Sequence, residues 1–151
     1  MAAMPFKFEE LLPFFGLHGT CEIFEQTPPG GAPTQIIRTD QSWCVVLKWD
    51  TCGPLNHIMC GKWCLRILLE EMGCGEFCLE EGLSKAEVPF VCGPHHYEYK
   101  FHIPAGKVGP GVYKIVSTIT MLGPCGIPGP IAGFCEGEML QFYAGGPITT
   151  P

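Results

Sequence analysis

Between residues 43 and 49 every second side chain is large and apolar: Trp43, Val45, Leu47 and Trp49 fall on one face of an extended chain, and Cys44, Val46 and Lys48, with Asp50 next, fall on the other. Period two is a strand signal, because successive side chains of an extended chain point to opposite sides, whereas a helix would bring its apolar stripe together every three to four residues. The same alternation recurs downstream. Trp63, Leu65, Ile67 and Leu69 oppose Lys62, Cys64, Arg66, Leu68 and Glu70. In HYEYKFHI, Tyr97, Tyr99, Phe101 and Ile103 oppose His96, Glu98, Lys100 and His102. VYKIVSTITML places Tyr113, Ile115, Ser117, Ile119 and Met121 on one face, and a last strand is expected over about residues 132–143 through FCEGEMLQFY.

The segments between are rich in turn residues. The chain holds 20 Gly and 15 Pro in 151 residues, which suits short strands and tight turns and is costly in helix interiors, by about 1 and about 3 kcal/mol per residue. The expected class is therefore all-β. TCEIFEQ (20–26) reads as a short strand, TPPGGAP (27–33) as a loop, TQIIRT (34–39) as an edge strand, and Gly61 as a bulge. MGCGEFCLEEGLSKAEVPFV (72–91) and GPCGIPGP (123–130) read as loops, and PAGKVGPG (104–111) as a turn. Residues 5–12 suit one or two helical turns, with Pro5 at the first position and Pro13 ending them. The length fits one domain, divided as an N-terminal apolar segment (1–19), a β domain (20–143) and a polar tail (144–151).

About seven one-sided strands separated by Gly/Pro turns fit two packed antiparallel sheets. HYEYKFHIPAGKVGPGVYKIVSTIT resembles the E and F strands of an immunoglobulin-like β-sandwich of the bacterial or fibronectin-III type. Gly111-Val112-Tyr113 stands where such domains place a tyrosine corner, a Tyr at the start of strand F whose hydroxyl bonds back to the preceding turn. The resemblance, architectural and covering residues 40–143, implies that Trp43–Trp49 is strand B and residues 57–71 strand C, with Trp63 as the core tryptophan. It departs at the antibody-type cysteine, replaced by Ile115, while the B-like strand has Val45 and Leu47 in its core positions. A disulfide between strands B and F is thus not expected.

Composition narrows function mainly by exclusion. The net charge is −6, with nine scattered Lys and Arg, which argues against a nucleic-acid partner that would need clustered cations. Charged residues are 16% of the chain against roughly 25% in an average soluble protein, and low surface charge favours association. No apolar run approaches the ~18 residues of a membrane span. Lys7, Glu9 and Glu10 interrupt the apolar start before a secretory core forms, so a cytoplasmic location is expected, with extracellular assembly left open.

The ten cysteines pose the remaining question. Cys92-Gly-Pro-His95-His96 brings a thiol near two imidazoles, but no surrounding segment resembles a cysteine-protease signature, and no other catalytic motif is present, so no catalytic residue is expected. For a metal, Cys60 and Cys64 would lie about 13 Å apart in a strand at ~3.3 Å per residue. Cys74 and Cys78, straddling a hairpin loop, with His96 and Glu98 on one strand face, are the better candidate ligands, with zinc as the candidate ion. Otherwise Cys44 and Cys64, on predicted outer faces, are cross-links or thiols covered by another chain, or else core filling. The expectation is a non-enzymatic interaction or structural module, without cofactor, that partners itself or another protein as the subunit of a homo-oligomer or filament. Its candidate contacts are Phe6, Leu11, Leu12, Phe14, Phe15, Cys44 and Cys64. The alternative is a metal-binding Cys/His β-sandwich.

Overall fold

The structure, a computed structural model, describes residues 4–10, 16–25, 35–53, 61–73, 75–77, 79, 81–123 and 128–144. These form eleven strands and one short helix: β1 (Met4–Pro5), β2 (Lys7–Glu10), β3 (Gly16–Glu25), β4 (Ile36–Arg38), β5 (Trp43–Cys52), β6 (Lys62–Glu71), β7 (Gly75–Phe77), α1 (Glu81–Ser84), β8 (Lys85–Pro89), β9 (His96–Ile103), β10 (Gly111–Leu122) and β11 (Pro128–Tyr143). Sheet I is four-stranded in the order β1-β3-β5-β9. Sheet II is seven-stranded, with the path β2-β11-β10-β6-β7, β4 added beside β11 and β8 beside β6. All pairings are antiparallel except β4 on β11. The all-β class is therefore correct, with short accessory strands beyond the seven expected.

The alternating faces meet in one core. Trp43, Val45, Leu47 and Trp49 of sheet I are buried against Trp63, Leu65, Ile67, Leu69, Tyr113, Ile115 and Ile119 of sheet II. Aromatic rings join the layers. Trp49 stacks on Tyr97 at 5.1 Å and meets Trp63 edge-on at 6.1 Å. Trp43 meets Phe142 edge-on at 5.2 Å, and Tyr113 approaches the same ring at 5.4 Å. Such pairs add about 0.5–1.5 kcal/mol each beyond their burial.

Sequence expectations and the fold part at several segments; Pro128–Pro130, expected within a loop, already belong to β11. The N-terminal segment, expected as one or two helical turns over residues 5–12 or as an extended segment, is extended in its described part: β1 pairs with β3 and β2 with β11. Pro5 is tolerated because β1 is the edge of sheet I, where a missing N–H breaks no interior ladder. β3 runs over Gly16–Glu25, so the strand expected over residues 20–26 begins four residues earlier. Residues 72–91, expected as loop, contain β7, α1 and β8, and β8 completes sheet II beside β6 from Lys62↔Pro89 to Arg66↔Lys85. Its apolar face is only Ala86 and Val88, too short a period-two signal to stand out between charged residues.

The Tyr113 ring is buried and its hydroxyl donates to the Gly109 carbonyl at 3.0 Å, clamping the turn that precedes β10. Tyr113→Phe keeps the ring and deletes this bond. The expected loss is about 1 kcal/mol, read as a lower midpoint in urea with an unchanged slope.

Candidate interaction surfaces

The two outer faces of the sandwich differ in chemistry. On sheet I, His96 Nδ1 lies 2.6 Å from Asp50 Oδ1, Lys48 Nζ 3.3 Å from Glu22 Oε1, and Lys100 Nζ 3.9 Å from Glu98 Oε2. Charge pairs thus line this face around buried Cys44 and Val46, and the individual pairs, exposed to solvent, contribute little to stability. On sheet II, cross-strand register places Leu68 beside Val116, Phe134 beside Thr118, Met139 beside Lys114, and Val112 and Ile36 beside Gln141. Of these, Ile36 is 54% exposed, Phe134 44%, Val112 40% and Met139 38%, and Tyr143 at the end of β11 is 40% exposed. A row of exposed apolar side chains, interspersed with Thr118, Lys114 and Gln141, thus runs down the outer face of sheet II, although that sheet's inner face already fills the core.

Beside the stripe, β8, β6 and β10 border an open groove of about 540 Å³ lined by Cys64, Arg66, Lys85, Glu87, Thr118 and Thr120. Lys62 Nζ holds Glu87 Oε1 at 2.8 Å, and the Cys64 thiol donates to Glu87 Oε2 at 3.8 Å. The ion pair raises the ammonium's pKa and lowers the carboxyl's. Burial first, and then the Glu87 charge, push the Cys64 thiol up, so it stays protonated and weakly nucleophilic.

The six described cysteines are thiols. Cys44 is on the outer face of sheet I as expected, but it is fully buried, flanked in register by Phe24 and His102. It is therefore filling rather than an exposed contact, and Cys64 is half-buried in the groove. Phe6, expected as a docking residue, is buried in the core, its N–H bonded to the Gly19 carbonyl at 2.9 Å. Leu11, Leu12, Phe14 and Phe15 lie outside the described residues, as do Cys74 and Cys78. Of the candidate metal ligands, His96 is engaged by Asp50, and Glu98 lies near Lys100. Among the described residues no three His, Cys, Asp or Glu side chains converge as a metal site would require.

Sequence reasoning missed a sheet-crossing sulfur cluster. Cys21 on β3 and Cys135 on β11 are both buried; Cys21 Sγ lies 3.5 Å from Ser117 Oγ, and Ser117 is the cross-strand partner of Cys135. The bond to Cys135, with burial, raises the Cys21 thiol well above the ordinary range, while the same bond lowers Cys135. Cys21 is in phase with Ile23 in the alternating stretch TCEIFE, and that phase was the available signal.

Two measurements check this distribution. In native, reduced protein, alkylation is expected first at exposed Cys52 and Cys92, with buried Cys21, Cys44 and Cys135 slower by about 100-fold or more, since they react only through opening. Mass spectrometry of timed digests showing Cys44 as fast as Cys92 would contradict its burial. Burial also raises the Cys44 thiol. A raised folded-state pKa means that the unfolded chain releases its proton first, so this contribution is intact below the ordinary thiol value of 9.0 and is lost as pH climbs past it. Urea midpoints from pH 8 to 10 should fall less steeply for Cys44→Ala than for the parent.

Comparison with protein-family models finds no match, and comparison with curated proteins finds none. Among the described residues no helix is long and apolar enough to cross a membrane.

Proposed function

We propose that this chain is a non-enzymatic, immunoglobulin-like interaction module that self-associates as a structural subunit. The observation that carries the reading is the apolar stripe of Ile36, Val112, Phe134, Met139 and Tyr143 on the outer face of sheet II. Several large apolar side chains exposed on one face, outside a core that is already complete, favour a place where another protein surface excludes water. The immunoglobulin-like part is supported by β5, β6, β9 and β10 standing where strands B, C, E and F are expected, by the β3-β5-β9 and β11-β10-β6 orders, and by the Tyr113 clamp.

Sedimentation of the reduced protein over a wide concentration range tests this reading. Self-association is expected, and Phe134→Ser with Met139→Ser should shift it toward monomer without lowering the melting temperature. A parent that stays monomeric at the highest concentration overturns the proposal.

A further inference from the structure

The two buried thiols that meet between the sheets have a chemistry of their own. Cys21 of β3 is 1% exposed and Cys135 of β11 3%. Their approach is built into the backbone. The Phe6 N–H donates to the Gly19 carbonyl of β3 at 2.9 Å, and the very next residue, Lys7, pairs with Phe134 of β11. Met4, just before, is the register partner of Cys21. Consecutive Cα atoms lie about 3.8 Å apart, so the step from Phe6 to Lys7 draws the two sheets together beside both cysteines. β3 and β11 accordingly approach within 8 Å between Cα atoms, inside the ~10 Å usual for facing sheets.

The side chains complete the arrangement. Cys21 Sγ lies 3.5 Å from Ser117 Oγ, and Ser117 stands opposite Cys135 in the register of β10 and β11. The Cys21 thiol donates to the Cys135 sulfur, an interaction that raises the first thiol and lowers the second. Cys135 is thus the sulfur that gives up its proton more readily, and thiolates are the reactive form. A disulfide needs a sulfur separation of about 2.05 Å and Cα atoms within about 7 Å. Hydrogen-bonded thiols on strands drawn this close reach that geometry by side-chain rotation and a small closing of the sheets.

We infer that Cys21 and Cys135 form an oxidation site, converted by a peroxide into a disulfide that staples sheet I to sheet II. The Cys135 thiolate attacks one peroxide oxygen and the O–O bond breaks. Cys135 becomes a sulfenic acid, and the departing oxygen leaves as water with the proton that the thiol gave up. The Cys21 sulfur then attacks the sulfenic sulfur. The S–S bond forms, the S–O bond breaks, and the hydroxyl leaves as a second water with the Cys21 proton. Two electrons pass from the sulfur pair to one peroxide. Access is provided by the N-terminal edge: β1 has two residues and β2 four, and each ends the path of its sheet. Short edge strands open at low free-energy cost. The site does not rest on the self-association reading.

The test uses the full-length chain, reduced and freed of reductant, treated with hydrogen peroxide in native buffer and in denaturing urea. Remaining thiols are then alkylated and unreduced digests read by mass spectrometry. A peptide pair linked through Cys21 and Cys135 is expected, forming about tenfold or more faster in native buffer, where the fold holds the sulfurs together. The melting temperature should rise by about 10 °C, because the link closes a long loop, and fall back in dithiothreitol. Cys135→Ser should lose both the linked pair and the rise, whereas Cys92→Ser should keep both. Cys21 and Cys135 found separately alkylated, linked only to other cysteines, or linked no faster in native buffer than in urea would overturn the assignment. The parent digest decides this even if Cys135→Ser fails to fold. Because self-association is measured on reduced protein, failure of either proposal leaves the other standing.

Discussion

Replacing Trp49 with alanine is expected to cost about 3–5 kcal/mol, the range for deleting a buried aromatic from a packed core. Trp49 is fully buried, stacked on Tyr97 within its own sheet and edge-on to Trp63 of the other. Removing it opens a cavity between the layers that sheets tied by long hydrogen-bond ladders cannot collapse to fill. At about 2–4 °C per kcal/mol for a chain of this size, the melting point should fall by roughly 10 °C. Trp49→Phe should cost much less. The Trp49 indole N–H is buried without an acceptor among the described residues, and an unsatisfied buried donor costs about 1–3 kcal/mol that phenylalanine does not incur. Should the alanine variant melt within about 2 °C of the parent, on the same size scale, the aromatic cluster would not be what holds the sheets together.

The second large effect is expected at Gly61, just before β6. Its φ of +134° is disfavoured for a residue bearing a Cβ, and a Cβ placed there would run into the Leu122 carbonyl oxygen at the end of β10. The Gly61 carbonyl also accepts the Phe90 N–H at 3.1 Å, so the backbone cannot swing aside without loosening the end of β8. Gly61→Ala should cost about 3 kcal/mol, combining strained φ with a backbone collision. Two controls separate those causes. Gly73 has φ +85° with open space around its Cβ position, so Gly73→Ala should cost only about 1 kcal/mol. Gly82 faces open space without a positive φ, and Gly82→Ala should be nearly neutral. Equal midpoints for the three variants in urea would rule out the close approach at Leu122.

Gly61 also shows how far local reading reaches. A glycine interrupting an alternating pattern signals a special backbone position, and that much was legible. The cause, taken to be a bulge, is instead the approach of a strand about sixty residues away in sequence, and local spacing carries no information about that contact. The cysteines divide similarly. The outward phase of Cys44 followed from its place between Trp43 and Val45, yet its burial depends on Phe24 and His102 in neighbouring strands. Cys21 and Cys135 are far apart in the chain and meet only because β3 and β11 bring inner faces of different sheets together.

The candidate surfaces show the same limit. Phe134 and Met139 could be recognised as apolar, but only pairing with Thr118 and Lys114 of β10 places them on the outer face of sheet II. The charges of HYEYKFHI were visible, while the place of β9 at the end of sheet I is a consequence of strand order. Periodicity sufficed for the all-β class, the long strands and the choice of core face, because alternation is a local property of extended chain and apolar burial is the dominant favourable force. Strand order, covered outer residues and sheet-crossing thiols required the tertiary structure, since each depends on which distant segments lie side by side.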